Sequence, residues 1–125
     1  MGGLTTHVLD TASGKPGHGI PLRLYRLDAP QTDTSRTDIS RTEVCTHTTN
    51  SDGRTDTPLL AEESFTPGTY ELVFEVAEYF CNQKSQSGDP PFLDEITLRF
   101  TISDASHYHV PLLVSPWSYS TYRGS

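Results

Sequence analysis

His107-Tyr108-His109 sets two imidazoles two residues apart. Side chains alternate along a strand, so His107 and His109 share one face and Tyr108 takes the other. A neutral imidazole titrates near pH 7, which suits such a pair to taking up and returning protons. The same spacing can ligate zinc, but a zinc site needs three or four ligands, and no cysteine or acidic residue stands at a matching interval. Taken alone, His-x-His is more often a packed or exposed strand pair. His7 lies between Thr6 and Val8, facing the same way as Thr5 and Leu9. Alone it reads as structural, as do His18 and His47. Arg54 follows the tight turn at Asp52-Gly53. Most such arginines are solvated, yet a guanidinium that keeps its proton is a good partner for an anionic, planar ligand. Tyr119–Ser125 adds the hydroxyls of Tyr119, Ser120, Thr121 and Tyr122, the Arg123 guanidinium, and the Ser125 hydroxyl beside the terminal carboxylate. A frayed chain end seldom concentrates such groups. Gly14-Lys15-Pro16 is not a phosphate loop, because Leu9 replaces the first glycine and Pro16 the magnesium-binding hydroxyl. No nucleophile elbow of the GxSxG type is present.

The elements that must position these groups are mostly strands, since apolar residues recur with a period of two. Leu4–Asp10 and Ile20–Leu27 read as strands, separated by a Gly/Pro/Ser turn cluster over Thr11–Gly19. Asp28–Ser40 is polar and reads as a long loop. Arg41–Thr49 is a further strand, and Asn50–Asp56 a tight turn built on Asp52-Gly53. Pro67–Val76 sets Tyr70, Leu72, Phe74 and Val76 on one face. Ala77–Lys84 reads as a two-turn helix and Ser85–Pro91 as a loop. Glu95–Ser103, His107–Ser115 and Tyr119–Ser125 complete the strands. Pro111 has no amide donor, which predicts that its strand lies at an edge or carries a bulge. Seven or eight short strands with one short helix predict an all-β sandwich, a single domain over residues 1–125.

Charge narrows the partners. Nine Lys+Arg against 16 Asp+Glu leave a net charge of −7, which disfavours nonspecific binding to nucleic acid or to an anionic membrane. No apolar run approaches the ~20 residues that span a bilayer. The first residues lack the pattern of a signal peptide, and the last lack a peroxisomal Ser-Lys-Leu ending. Cys45 and Cys81 form no CxxC pair and read as reduced thiols, so a cytoplasmic protein is expected.

Several segments together resemble the 5-hydroxyisourate hydrolases, the transthyretin-like enzymes of urate breakdown. They are LTTHVLDTASGKPGHGIPLRLYRL, TNSDGR, GTYELVFEVAEYF, RFTISD, HYHVPLL, SPxxYST and the closing YRGS, which cover nearly the whole chain. The chain departs from the family pattern in a longer Asp28–Glu43 segment and in Trp117-Ser118, where many members have Tyr-Gly. The resemblance implies an eight-stranded transthyretin-like sandwich and a homotetramer, a dimer of dimers with active sites at the dimer–dimer interface of a central channel. It assigns catalysis to His7, Arg54, His109 and Ser125, and substrate binding to His7, Arg54, Tyr122 and Arg123, with neither metal nor cofactor. The implied reaction is hydrolysis of 5-hydroxyisourate to 2-oxo-4-hydroxy-4-carboxy-5-ureidoimidazoline, with the histidines handling protons. A transthyretin-like carrier of a small aromatic ligand is the alternative; transthyretin itself lacks the histidine pair and the YRGS ending.

Overall fold

Alternation along the first strand shows how the chain divides its faces. In β1 (Gly3–Asp10), Leu4, Thr6, Val8 and Asp10 are buried while Thr5, His7 and Leu9 are only half-buried. The computed structural model describes residues 2–28, 40–82 and 91–124. Most of the predicted Asp28–Ser40 and Ser85–Pro91 loops, the last residues of the predicted helix, and Ser125 lie outside the described residues. The remaining elements are β2 (Lys15–Pro16), β3 (Pro21–Leu27), β4 (Arg41–Thr48), a 3-10 turn at Glu62–Ser64, β5 (Gly68–Glu75), α1 (Ala77–Asn82), β6 (Glu95–Ile102), β7 (His107–Val114) and β8 (Tyr119–Thr121).

Two four-stranded sheets result, ordered β2-β1-β7-β8 and β4-β3-β5-β6. This is the β-sandwich that the period-two pattern predicts. The inward residues of both sheets form one apolar cluster, including Leu4, Val8, Leu22, Phe74, Ile96 and Leu112. The second sheet is a run of antiparallel neighbours. The first contains a parallel pair: β1 runs alongside β7 from Gly3↔His107 to Asp10↔Val114. That pair joins the two ends of the sequence.

Polar groups taken into the interior are matched. The Thr6 hydroxyl donates to the Val110 carbonyl at 2.7 Å. Glu71 accepts from Arg41 at 2.8 Å and from Arg99 at 2.7 and 2.9 Å. Burial would push its carboxyl up, but the hydrogen bonds and charges of the two arginines hold it below its ordinary value. The Arg41 guanidinium also lies 3.9 Å from the Tyr25 ring centre.

Three expectations need correction. β7 is not an edge strand: it lies between β1 and β8. Proline is tolerated because the β7–β8 ladder is interrupted beside it. Regular pairing ends at Leu112↔Thr121 and resumes as a single bridge at His109↔Gly124. In the gap, the Thr121 hydroxyl donates to the Pro111 carbonyl at 2.6 Å. For the same reason β8 covers only Tyr119–Thr121 rather than reaching Ser125. The Thr11–Gly19 turn cluster also holds a short strand, β2, which caps the end of β1.

Asp10 closes β1. Its Oδ1 accepts the amides of Ala12 and Ser13 at 2.9 and 3.2 Å. Its Oδ2 accepts the Tyr79 hydroxyl at 2.7 Å, tying α1 to the first sheet. Burial first, and the Asp10 carboxylate second, push the Tyr79 phenol well above its usual range. Tyr79→Phe should leave Asp10 buried and short of a donor, lowering the unfolding free energy by about 1–3 kcal/mol. Urea denaturation with an unchanged m-value would report this loss; unaltered stability would show that the clamp contributes nothing.

Candidate active site

The outward face of the first sheet collects the histidines. The register sets Thr5 opposite His109 and His7 opposite Pro111, so His7 and His109 are diagonal neighbours on one surface. His107 lies on the same face one pleat earlier, and Tyr108 is buried on the other side at 5% exposure, as alternation predicts. The Thr5 hydroxyl lies 2.9 Å from His109 Nδ1 and 3.3 Å from His107 Nε2.

Arg54 comes to this face from a turn docked on the open edge of β1. The Asn50 side-chain oxygen accepts the amides of Asp52 and Arg54 at 2.9 and 3.1 Å. The Gly53 carbonyl then accepts the Val8 amide at 2.8 Å. Gly53 has φ +76°, and a β-carbon there would lie 2.4 Å from the Val8 carbonyl oxygen. Only glycine permits both this backbone conformation and this approach. A small cleft of about 190 Å³ between Thr5, Thr6, Arg54, Asp56 and Pro58 adjoins the face.

Electrostatics binds the three groups together. Burial and the Arg54 charge both lower the proton affinity of His7; a hydrogen bond with the Asp52 backbone and the Asp52 charge oppose them without cancelling them. His109 is lowered by burial first, then by Arg54, His7 and His107. Both rings are therefore biased toward the neutral form, the one able to accept a proton.

The tail reaches the same face through its backbone. The Gly124 amide donates to the His109 carbonyl at 2.7 Å. A β-carbon on Gly124 would lie 2.8 Å from His109 Cδ2, so this glycine sits directly against the ring. Arg123 meets His107 only at its backbone, donating to the carbonyl at 3.5 Å, and borders a cleft with His107 and Gly124. Its guanidinium stacks 4.0 Å from the Tyr108 ring centre and donates to Ser106 Oγ at 3.0 Å. Tyr122 is 60% exposed. It borders a separate cleft of about 400 Å³ between β6 and β8, together with Arg99, Tyr119 and Arg123. His18 and His47 stand apart on the turn after β2 and on β4. Thr5 and Gly53 are not among the site residues that the sequence suggests, and Gly124 enters there only as part of the closing Tyr122–Ser125 motif. Thr5 was within reach of the alternation argument, whereas the two glycines are explained only by what packs against them. Among the described residues, no group of three or more His, Cys, Asp or Glu could hold a metal ion.

A family model described as HIUase/Transthyretin matches residues 4–124. A 5-hydroxyisourate hydrolase of Deinococcus radiodurans is 56% identical over 98% of this chain and 96% of its own. One of Pseudomonas aeruginosa is 52% identical over 100% and 93% respectively. The solved structure of the Klebsiella pneumoniae 5-hydroxyisourate hydrolase aligns over 100% of both chains, with TM-score 0.75 and 28% identity.

Because Arg54 lowers both imidazoles, Arg54→Met should raise the titration midpoints of His7 and His109 together. Histidine-edited NMR reads both. Since the folded rings bind protons more weakly than the unfolded chain, the native protein should lose stability as pH falls below about 6.5. Midpoints unmoved by Arg54→Met would remove Arg54 from the site's electrostatics.

Proposed function

The chain belongs to the HIUase/Transthyretin family, and we propose that it acts as the hydrolase of that family rather than as a carrier. It hydrolyses 5-hydroxyisourate to 2-oxo-4-hydroxy-4-carboxy-5-ureidoimidazoline, a step of urate breakdown. The observation that carries this reading is the diagonal pairing of His7 and His109 on one sheet face, where burial and the neighbouring Arg54 charge both lower their proton affinity. A carrier of an aromatic ligand has no need of two proton acceptors beside a fixed cation.

The reaction opens the six-membered ring at its N1–C6 amide. Water attacks C6, and one imidazole takes the proton that the water sheds. The oxygen on C6 gains negative charge, which Arg54 stabilises. When the C–N1 bond breaks, the electron pair stays on nitrogen and a proton is returned there, leaving a carboxylate on carbon. His7 and His109 divide these proton transfers. A placed base contributes roughly 10²–10⁴ in rate, and a charge-stabilising donor about 10²–10³. The Ser125 hydroxyl positions the water in this reading, whereas within one protomer Tyr122 borders the separate cleft between β6 and β8. Arg123 holds the tail in place through Tyr108 and Ser106.

Assembly follows from the openness of this face. His7 and His109 remain only half-buried even with the Arg54 turn and Gly124 beside them. A substrate pocket needs walls that exclude water. A homotetramer, built as a dimer of dimers, supplies them from a second copy of this face. The unpaired thiols of Cys45 and Cys81 suit the cytoplasm, and no helix among the described residues is long and apolar enough to cross a membrane.

Freshly generated 5-hydroxyisourate should lose its ultraviolet absorbance faster with the protein than without it. His7→Ala and His109→Ala should each reduce turnover by about 10² or more, with non-additive effects in the double variant. Unaltered turnover in both would return the histidines to a structural role. Light scattering should give about four times the 13.8 kDa chain mass; a fully active monomer would refute the assembly.

A further inference from the structure

Thr5 lies within reach of both imidazoles of His107-Tyr108-His109. Its Oγ1 is 2.9 Å from His109 Nδ1 and 3.3 Å from His107 Nε2. The strand pairing is responsible. Thr5 stands opposite His109, and opposite His107 stands Gly3. With no side chain there, the His107 ring settles over Gly3, where a β-carbon would come within 3.3 Å of His107 Nδ1.

A hydroxyl has one proton to donate and lone pairs with which to accept. Two neutral imidazoles cannot both accept that one proton. When His107 Nε2 receives it, His109 must donate its Nδ1–H to the Thr5 oxygen, and His109 Nε2 is left bare. When His109 Nδ1 receives it, the His109 proton sits on Nε2 and His107 becomes the donor. The orientation of the Thr5 hydroxyl is thus coupled to the tautomers of both rings, each of which changes tautomer by losing a proton from one nitrogen to water and gaining one from water on the other. The nitrogen that hydrogen-bonds inward decides what the other nitrogen can do.

We propose that Thr5 is a positioning residue: it accepts the Nδ1–H of His109 and donates to His107 Nε2, so that His109 presents an unprotonated Nε2 to the attacking water. This rests on the hydrolase reading above. The stepwise balance is simple. Water gives its proton to Nε2, the Nδ1 proton stays in place, and the new imidazolium charge falls on a hydrogen bond to the Thr5 oxygen already made. Such bonds shorten and strengthen when the donor becomes charged. His107, exposed and on the same face, serves as the acceptor that keeps the hydroxyl turned the right way. Gly124, packed against His109 at a distance no side chain would allow, limits how far the ring can rotate out of this geometry.

Thr5→Val keeps the β-branched shape suited to a strand and removes only the hydroxyl. Thr5→Ser keeps the hydroxyl. Nitrogen-15 NMR of the imidazoles should show wild-type His109 protonated on Nδ1, a mixture of tautomers in Thr5→Val, and the wild-type form again in Thr5→Ser. With 5-hydroxyisourate as substrate, kcat of Thr5→Val should fall about 10-fold or more while KM stays within about 2-fold, and Thr5→Ser should recover most of the loss. His107→Leu should shift the His109 tautomer in the same sense as Thr5→Val. Wild-type His109 protonated on Nε2, or Thr5→Val turning over at the wild-type rate with its tautomer unchanged, would overturn the assignment. A wild-type protein with no hydrolase activity would instead sink the hydrolase reading, and the NMR measurement would still decide the hydrogen-bonding role of Thr5.

Discussion

The parallel pairing of β1 with β7 is the constraint on which the rest of the structure depends. It brings residues 3–10 beside residues 107–114, so the chain must close a loop of about a hundred residues before the pair can form. Closure of such a loop costs entropy that grows only slowly with length, and the apolar inner faces of both strands, sealed in the common core, offset it. Register follows from burial. A slip of one residue would turn Leu4 and Val8 outward and bring Thr5 and His7 into the core. The buried pattern that stabilises the sandwich is therefore the same pattern that sets His7, Thr5, His107 and His109 together outside.

Around this pair, the remaining site groups are delivered by backbone rather than by side-chain packing. Gly53 brings the Asn50–Arg54 turn against Val8, and Gly124 brings the tail against His109. Both use the closest approach a chain can make. Arg54 and the tail therefore inherit their positions from β1 and β7. Burial first, and then the cation beside them, lower the proton affinity of the histidines, while two arginines hold the Glu71 carboxyl on the opposite sheet below its ordinary value. Like charges set the chemistry on one face, and opposite charges stabilise the other.

Strand existence and facing were largely legible. Alternation placed Tyr70, Leu72 and Phe74 inward, and separated Tyr108 from its flanking histidines, because a strand's side-chain period depends on backbone geometry alone. Strand order was not legible. Pro111 was expected at an edge or a bulge, and it lies in an interior strand, because its missing donor faces the one stretch where the β8 ladder is broken. Arg123 belongs to the closing motif by sequence, yet its guanidinium is occupied by Tyr108 and Ser106 on the far side of β7. The Arg123 side chain is held by what it stacks on, so membership of a motif does not carry membership of a face.

His7, Arg54 and His109 stand out as candidates only through the family resemblance. By itself, the sequence determined the fold class, and the family through motifs spread along nearly the whole chain. These rest on local spacing and on residue chemistry, which a linear string records in full. Only the tertiary structure decided that His7 and His109 are diagonal neighbours, that Arg54 lowers the proton affinity of both, and that Thr5 stands between two imidazoles. Each of these depends on the register between segments roughly fifty to a hundred residues apart. That register is settled by which apolar faces can be buried together, a property of the whole chain that no local window contains.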